Sequence, residues 1–359
     1  MKKKLLKTLT GVGCALFLLA GCTKVSEQEI KPAEEVTQEA APTEEAKPEE
    51  PTEAPADEEA PAAEGTAMKD RSGNDIVVPA EVNTIVSMAP SITRVLIDMG
   101  LADKIVASDT NSQASYGSEL GADVSYMDMM APDQEALTAM APDIIFTSGM
   151  SSVDGNDAFG AVRAAGVCVA DIPSSASLKA IEEDLIFIGT CVGTEAKAQE
   201  LVDEMEEAIA EIAKIAATIP EEEKKTVLFE LFTPSADYPT IYTAGQGTYI
   251  NEMLETVGAI NVAGDQTEQW PALTEEACVG ADPAVILTAD MYTPDVINVL
   301  LTMKGWENVK AIKDGAVYQL NADQVNQPNH HVIDAMIDMA GFIYPEYFDE
   351  SVDELRPAA

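Results

Sequence analysis

One long amphipathic segment near the middle of the chain constrains the fold more than any other feature. Between residues 194 and 219, apolar side chains recur every three or four positions, and mostly acidic side chains occupy the positions between them. This spacing is typical of an α-helix with one buried face. Thr194 is suited to cap the start of the helix, and Pro220 follows its end. Roughly 26 residues at about 1.5 Å each span roughly 39 Å, more than the diameter of a small domain.

Patterns of alternating strands and helices lie on both sides of this segment. The buried strands are predicted at residues 84–88, 104–107, 142–147 and 167–170 before it, and at 226–232, 240–245, 284–288 and 316–320 after it. Such alternation predicts parallel strands connected by helical crossovers. We therefore predict an α/β fold of two Rossmann-like lobes, residues 68–193 and 220–359, joined by a single long helix over 194–219. The alternative is an ordinary long surface helix inside one domain.

Residues 1–22 have the features of an export signal. Four lysines precede an apolar stretch, which ends in the tetrapeptide Leu19-Ala20-Gly21-Cys22. This tetrapeptide resembles a bacterial lipobox, whose cysteine becomes the lipidated first residue of the mature protein. Acyl chains on Cys22 would hold the protein at the extracellular face of the cell membrane, since each buried methylene contributes about 0.8 kcal/mol. The alternative is a plain cleaved signal that happens to contain a cysteine.

Residues 23–67 are rich in Glu, Ala, Pro and Thr and contain no aromatic residue. Such a composition cannot bury enough apolar surface to offset its ordering entropy, so we predict a disordered acidic tether. The net charge of the chain is -42, and subtracting +4 for the signal and -11 for the tether leaves -35 on residues 68–359. This charge argues against nucleic acid or an anionic membrane surface as a partner. Membrane contact is expected through the lipid on Cys22 only.

Three cysteines remain in the predicted fold, namely Cys168, Cys191 and Cys278. Their odd number leaves at least one of them unpaired within a monomer, and their spacing does not match a zinc motif. Because each lies among apolar neighbours, we predict buried thiols. The sequence leaves open whether two of them form a disulfide.

A short pattern occurs once in each predicted lobe. Glu135 and Glu276 each lie near the start of a short predicted helix, each is followed seven positions later by a proline, and a strand comes next. If the lobes are built alike, the two carboxylates hold equivalent positions. The alternative is that both are first-turn glutamates favoured by the helix dipole.

Taken together, these segments resemble the periplasmic-binding-protein family that delivers cobalamin, iron chelates or haem to ABC importers. The similarity rests on residues 70–74, 85–93, 135–146, 242–245, 270–276 and 283–287. It covers nearly all of residues 68–348 and depends on the order and spacing of these segments rather than on one motif. The resemblance implies two α/β lobes joined by one long helix, with a ligand cleft between the lobes.

The resemblance also implies roles for individual residues. Glu135 and Glu276 would seat in arginine pockets on the permease dimer of the importer, because a carboxylate can accept a bidentate guanidinium. The positions expected to contact the ligand are Met88, Pro90, Ser91, Tyr126, Met129, Phe232, Tyr242, Trp270, Asp323 and Asn326. We expect a monomer without a cofactor, whose bound ligand is cobalamin or an iron chelate.

The composition of the predicted cleft narrows the ligand class. Aromatic and methionine side chains in its loops suit a large apolar ligand. Only four arginines lie in the predicted fold, and none falls in these loops, which favours a corrinoid or a neutral hydroxamate chelate over an anionic ferric catecholate. His330 and His331 are the only histidines. We predict no metal site, because such a site needs three or four converging ligands, and His330 would act only if the ligand is haem.

The predicted function is therefore that of an extracellular, lipid-anchored solute-binding protein. It would capture cobalamin or an iron chelate such as a siderophore and deliver it to an ABC importer. A haem-binding importer component and a ligand-sensing surface lipoprotein are the alternatives. An extracellular hydrolase is disfavoured, because the sequence has no Gly-x-Ser-x-Gly elbow and no separate histidine to serve a nucleophile. We expect no enzymatic activity.

Overall fold

The computed structural model describes residues 65–150, 157–235 and 238–357. The predicted signal with Cys22, and the predicted tether up to residue 64, lie outside the described residues. The described part begins with a hairpin in which β1 (Gly65–Lys69) pairs antiparallel with β2 (Asp75–Pro79). The predicted tether boundary at residue 67 is therefore wrong. The backbone of β1 is fully paired with β2, and Met68 packs against the hydrophobic core.

The first parallel sheet has five strands. They are β3 (Ile85–Met88), β4 (Ile105–Asp109), β5 (Ser125–Met127), β6 (Ile144–Thr147) and β7 (Cys168–Asp171), in the spatial order β5-β4-β3-β6-β7. The helices among them are α1 (Pro90–Asp98), α2 (Thr110–Tyr116), α3 (Gln134–Met140) and α4 (Gly160–Ala164). Four of these strands match the predictions. The strand β5, which contains Tyr126, is absent from the predicted strands, and it pairs with β4 through Ser108 at the edge of the sheet.

Two helices carry the chain from the first sheet to the second. They are α5 (Leu178–Val192) and α6 (Glu195–Ala216), and α6 is the long helix predicted over 194–219. The two helices pack so closely that a Cβ atom added to Gly189 would lie 2.4 Å from the Cβ of Ala198. Thr194 does not cap α6 with its side chain, because its hydroxyl lies against the sulfur of Met99 (3.5 Å).

The second parallel sheet has four strands. They are β8 (Thr226–Glu230), β10 (Ile260–Asn261), β12 (Val285–Thr288) and β13 (Val317–Gln319), in the order β10-β8-β12-β13. The strand predicted over 240–245 is shorter and lies outside this sheet, because β9 (Ile241–Tyr242) pairs antiparallel with β11 (Ala272–Leu273). The helices are α7 (Tyr249–Thr256), α8 (Glu275–Ala281), α9 (Val296–Leu301), α10 (Lys310–Asp314), α11 (Ala322–Asn326) and α12 (Val332–Ile343). Short 3-10 helices lie at Ala102–Lys104, Glu221–Glu223 and Glu350–Leu355.

The hydrophobic core has one large part and two smaller ones. The large cluster joins inner faces of both sheets to α6 and α12, and it includes Phe146, Met205 and Phe229. The smaller clusters lie between each sheet and its own outer helices, around Leu137 in the first half and Cys278 in the second. Each sheet is thus covered on both faces, as parallel sheets require. The predicted α/β fold class is confirmed.

Two further expectations concern cysteines and membrane spans. Cys168, Cys191 and Cys278 are buried and free, which confirms the prediction of buried thiols. Burial raises the pKa of each of these thiols above its ordinary value, so they are held in the neutral form. Within the described ranges, no helix is both long enough and apolar enough to cross a membrane.

Candidate functional site

The carboxyl edges of the two parallel sheets lie beside each other. Helix α2 follows the carboxyl end of β4 in the first sheet, and α11 follows that of β13 in the second. The Ser115 hydroxyl donates to Asp323 Oδ1 (3.1 Å), and the Tyr116 hydroxyl donates to Gln327 Oε1 (2.6 Å). These contacts join the segments that follow the two strands. In parallel α/β sheets this edge is where ligands bind.

Exposed apolar side chains concentrate on the loops at these edges. Eleven large hydrophobic side chains are exposed in the described residues, and seven of them follow the carboxyl end of a strand. They are Met130, Met150, Phe232, Tyr238, Trp270, Met291 and Tyr292. Phe232 and Tyr292 stack with their ring centroids 6.2 Å apart. A group of exposed apolar side chains marks a binding surface, whereas single exposed apolar side chains are normal on any protein surface.

Nine of the ten positions predicted to contact ligand lie at or next to these edges. Pro90 and Ser91 begin α1 after β3, Tyr126 and Met129 lie at and after the end of β5, and Asp323 and Asn326 lie in α11 after β13. Phe232 follows β8, Trp270 follows β10, and Tyr242 lies in β9, where its carbonyl accepts from the Leu231 N–H (3.0 Å). Asp323 is already bonded to Ser115 and Gln327, so it connects the two halves. The ligand contacts themselves stay a prediction.

Met88 is the exception among the predicted ligand residues. Its side chain is 1% exposed and packs in the cluster that contains Leu137 and Phe159. Alternate residues of a strand point to opposite faces, and Met88 shares the face of Val86, which is turned toward α3 and α4. The prediction that Met88 lines the cleft is therefore wrong.

Tyr238 and Tyr292, which are 72% and 74% exposed, are not among the positions predicted to contact the ligand. Both follow a predicted strand of the second half, where the chain passes the carboxyl edge. The rule that places ligands at this edge was available from the sequence, and applying it to every strand of the second half would have found them.

A buried carboxyl, Glu230, lies at the end of β8 beneath these loops. Its side chain is fully buried, and within the described residues neither carboxyl oxygen has a hydrogen-bond partner. Burial raises the pKa of Glu230 to about 8. The hydroxyls of Thr288 and Thr233 lie near the carboxyl without aligned hydrogen bonds and oppose this rise, whereas the Asp290 carboxylate adds to it. Glu230 is therefore held as a neutral acid below that pH.

Asp290, after β12, has the opposite environment. It accepts from the Thr293 hydroxyl (2.6 Å) and from the Thr233 amide (2.9 Å). Burial alone would raise its pKa, but these hydrogen bonds stabilise the anion and lower the pKa of Asp290 to about 2. The edge of the second sheet thus carries one neutral acid and one carboxylate.

The edge segments contain no fixed positive charge. Neither lysine nor arginine occurs in residues 110–133, 148–159, 231–247, 262–276, 289–303 or 320–331. The four arginines of the fold are paired with carboxylates elsewhere, in the pairs Arg71–Asp184, Arg94–Asp98, Arg163–Asp171 and Arg356–Asp338. A strongly anionic ligand would therefore meet no opposite charge here.

Glu135 and Glu276 occupy the same position in two matching helices. Each is the second residue of a seven-residue helix, and both are exposed. The preceding caps are alike, because Asp133 accepts from the Ala136 N–H and Thr274 accepts from the Ala277 N–H. A crossover helix starts at the carboxyl edge of its sheet, so both carboxylates lie on the side of the molecule that bears the aromatic loops.

The two histidines lie away from this edge. His330 is 2% exposed, and its Nε2 lies 3.0 Å from Asp98 Oδ2 at the last residue of α1. Pro90 begins α1 at the carboxyl edge, eight residues and about 12 Å from Asp98. His330 is thus buried beside the end of α1 that lies opposite Pro90, and its role toward a haem ligand stays a prediction.

His331 belongs to the same cluster. Its Nδ1 lies 2.7 Å from Asp334 and its Nε2 lies 3.2 Å from Asp98. Burial alone would lower the pKa of His331, but these two carboxylates raise it to about 9. The histidines therefore form a polar cluster between α1 and the start of α12.

The sequence and fold match those of known proteins. A model described as periplasmic binding protein matches residues 85–324. An uncharacterized ABC transporter substrate-binding lipoprotein, YvrC of Bacillus subtilis, is 30% identical over 96% of this chain and 100% of its own length. A cobalamin-binding protein of Halobacterium salinarum is 25% identical over 76% of this chain and 72% of its own length. The molybdate-bound structure of MolA from Haemophilus influenzae has a TM-score of 0.67 at 19% identity, covering 81% of this chain and 95% of that one.

Proposed function

Since the chain belongs to the periplasmic binding protein family, we propose that it captures a corrinoid of the cobalamin type and delivers it to an ABC importer. The observation that carries this proposal is the group of exposed aromatic and methionine side chains at the carboxyl edges of the two sheets. A corrin ring system is large and partly apolar, so it would cover such side chains on both halves at once. The cobalamin-binding relative supports the same ligand class.

The charge of the edge segments separates this ligand from its competitors. Ferric catecholates and molybdate are anions, and the edge segments offer no lysine or arginine to pair with them. A neutral corrinoid needs no such partner. A neutral ferric hydroxamate meets the same condition, and it is the competing ligand in the experiment below.

Delivery would depend on Glu135 and Glu276. Both carboxylates are exposed, and no basic side chain of the described residues forms an ion pair with either one. Each could therefore accept a bidentate guanidinium from one subunit of a permease dimer. Because the two glutamates hold matching positions, the two subunits of a dimeric partner could each bind one half of the molecule through the same type of contact.

The location proposed for the protein is the extracellular face of the cell membrane. Cys22 would carry the lipid, residues 23–64 would form the tether, and the folded part would bind ligand as a monomer without turnover. The relative from Bacillus subtilis, which is named a lipoprotein, supports this assignment.

The decisive experiment is a titration of the protein with cyanocobalamin, followed by calorimetry and by tryptophan fluorescence. The chain has only two tryptophans, Trp270 (41% exposed) at the edge and Trp306 (1% exposed) in the core. We expect one saturable site per chain. Trp270→Ala should weaken binding tenfold or more, about 1.4 kcal/mol, because an aromatic contact is lost.

Trp306→Phe is the matched control and should leave the affinity unchanged, since Trp306 is buried away from the edge. Ferrichrome, haem and molybdate are titrated in parallel. Saturable binding of ferrichrome alone would move the ligand class to neutral iron chelates. Binding of haem or molybdate in place of cyanocobalamin, or binding of none of the four, would overturn the proposal.

A further inference from the structure

The two histidines of the chain and Asp98 converge on one point between the halves of the molecule. Asp98 ends α1 in the first half, and His330 and His331 immediately precede α12 in the second. We propose that these three side chains form a binding site for one Zn²⁺ ion, separate from the ligand cleft, since Asp98 lies about 12 Å along α1 from Pro90 at the carboxyl edge. The site would connect segments that are more than 230 residues apart in the sequence.

The spacing of the three side chains suits a metal ion of this size. One ligand atom from each residue lies within 4.8 Å of the other two. Asp98 Oδ2 lies 3.0 Å from His330 Nε2 and 3.2 Å from His331 Nε2. Ligand atoms bonded to Zn²⁺ at about 2.1 Å in a tetrahedron are separated by about 3.3 Å. An ion could therefore be accommodated with small side-chain movements.

His330 has no other role in the described structure. It is 2% exposed, and neither ring nitrogen forms a hydrogen bond to any described residue. Its approach to Asp98 is close but not aligned as a hydrogen bond. A buried ring nitrogen that lacks an aligned hydrogen bond is costly, and metal coordination through Nε2 would satisfy that nitrogen.

His331 is oriented in the manner of a metal ligand. Its Nδ1 lies 2.7 Å from Asp334 Oδ2, which leaves Nε2 directed toward Asp98. A carboxylate on the second ring nitrogen fixes the tautomer and raises the basicity of a ligating histidine. Asp334 is in turn contacted by Arg356 (3.4 Å), so its own position is fixed.

The charges around the cluster favour a cation. Arg94 pairs with Asp98 and with Glu119, and Arg356 pairs with Asp334. Arg356 also pairs with Asp338 and Asp353. Five carboxylates thus lie in this network against two guanidinium groups, and the network stays net negative even when His331 is protonated. Arg94 Nε donates a hydrogen bond to Asp98 Oδ2 (2.7 Å), and the histidines approach the same oxygen. Asp98 would therefore bind the ion through a single oxygen.

The fourth ligand would be a water molecule supplied from a neighbouring cavity. His330 lines a cavity of about 310 Å³ that is bounded by α6 and by the C-terminal 3-10 helix. Glu204, Glu207 and Arg356 also line this cavity, so its wall is polar enough to hold water. Two imidazoles, one carboxylate and one water complete a four-coordinate zinc site.

The test uses the full chain after treatment with a chelator and gel filtration. Co²⁺ is added at pH 7.5 and followed by its visible absorption bands, and Zn²⁺ is then added to displace it. We expect one Co²⁺ per chain and displacement by an equal amount of Zn²⁺, because Zn²⁺ binds nitrogen and oxygen ligands more tightly. Since the chain has only two histidines, their ring nitrogen signals in NMR spectra report the site directly.

Substitutions then assign the ligands. His330→Gln and His331→Gln should each lower the affinity for Co²⁺ more than about 100-fold, and Asp334→Asn should lower it about 10- to 100-fold. The control is Asp203→Asn, which removes an exposed carboxylate from α6 and should change nothing. If the unmodified chain does not bind Co²⁺ stoichiometrically, the proposal is overturned. The three side chains would then form an ion-pair cluster and not a metal site. Unchanged binding in both histidine variants would also overturn it.

Discussion

The two halves of the molecule repeat one framework but differ in the side chain that ends the central strand. In the first half, Met88 of β3 pairs with Thr147 of β6, and in the second half, Glu230 of β8 pairs with Thr288 of β12. Met88 lies in a cluster with Leu137 of α3, whereas Cys278 of α8 lies near Glu230. The same position thus holds an apolar side chain in one half and a buried acid in the other.

The shared framework is maintained by hydrogen bonds between threonine hydroxyls and backbone amides that recur in both halves. The hydroxyl of Thr84 accepts from the Asp143 N–H (3.0 Å), and that of Thr226 accepts from the Ala284 N–H (3.1 Å). The residues that end α3 and α8, Ala141 and Asp282, both adopt the left-handed conformation, with φ of 46° and 47°. Because these features fix the backbone, the side chain at the strand end can vary without changing the fold.

The exposed edges differ in a similar way. Two of the seven exposed apolar side chains, both methionines, belong to the first half, and the five in the second half include all the aromatic ones. We infer that the second half supplies the rigid contacts for an apolar ligand and the first half the adaptable ones, since methionine is the more flexible side chain.

The largest effect is expected on uptake, in a test of whether the two halves are equivalent in docking. Glu135→Ala and Glu276→Ala should each slow uptake of labelled cobalamin about 30-fold or more, because losing a buried ion pair with the importer costs about 2 kcal/mol or more. The double variant should abolish uptake. The measurement is transport in cells or proteoliposomes that contain the cognate importer.

In that experiment the affinity for cobalamin should stay the same in all three variants. Asp203→Ala and Glu222→Ala, which remove exposed carboxylates outside the edge segments, serve as controls and should transport normally. If one single variant abolishes uptake while the other has no effect, the equivalence of the halves fails. A loss of ligand affinity would instead assign the glutamates to the cleft.

An effect on stability rather than on transport is expected from the acid that distinguishes the second half. The pKa of Glu230 is about 8 in the folded protein, against about 4.3 for an unperturbed glutamate. Between these values the folded state holds a proton that the unfolded state has released. The free energy of unfolding should therefore fall as pH rises through this window, by at most about 1.4 kcal/mol per pH unit. Below and above the window, this group contributes no slope.

Glu230→Gln removes the titrating group and should abolish this contribution. Relative to the unmodified protein, the variant should gain stability from pH 5 to pH 8, reaching on the order of 5 kcal/mol. Urea unfolding at several pH values measures the difference, and Glu222→Gln at an exposed position is the control. A constant difference between variant and unmodified protein across the window would show that Glu230 titrates normally.

The smallest effect is expected from substitutions at Ala141 and Asp282, the two residues with a left-handed backbone conformation that follow α3 and α8. Ala141→Gly should stabilise the fold by about 0.5 to 1 kcal/mol, because glycine adopts this conformation without the steric cost of a Cβ. Asp282→Gly should gain less or nothing, since it also removes the acceptor of the Lys310 N–H (2.8 Å). Thermal unfolding measures both variants. A larger gain at residue 282 than at 141 would contradict this account.

Much of the framework could be predicted from the sequence, because local patterns determine it. The apolar period of α6, the proline seven positions after each matching glutamate, and the buried strands all depend on side chains within a few residues of one another. Such signals identified the fold class and the likeness of α3 to α8. The resemblance to the family then suggested a docking role for Glu135 and Glu276, which the spacing of apolar residues alone does not indicate.

The failures have non-local causes. Met88 is at a strand end, but the face it occupies depends on how α3 and α4 cover the sheet. β1 forms because β2 pairs with it, although its composition continues that of the tether. Thr194 is a favourable cap by type, yet its hydroxyl lies against Met99 of another helix.

The sequence by itself determined the two α/β halves, the long helix between them and the matched pair of glutamates. Only the tertiary structure brought Asp98 to His330 and His331, and only it buried Glu230 with no hydrogen-bond partner among the described residues. The physical reason is the separation along the chain of the residues that interact. Periodicity and capping are set by neighbours along the chain, whereas a convergence of side chains from distant segments depends on how sheets and helices pack.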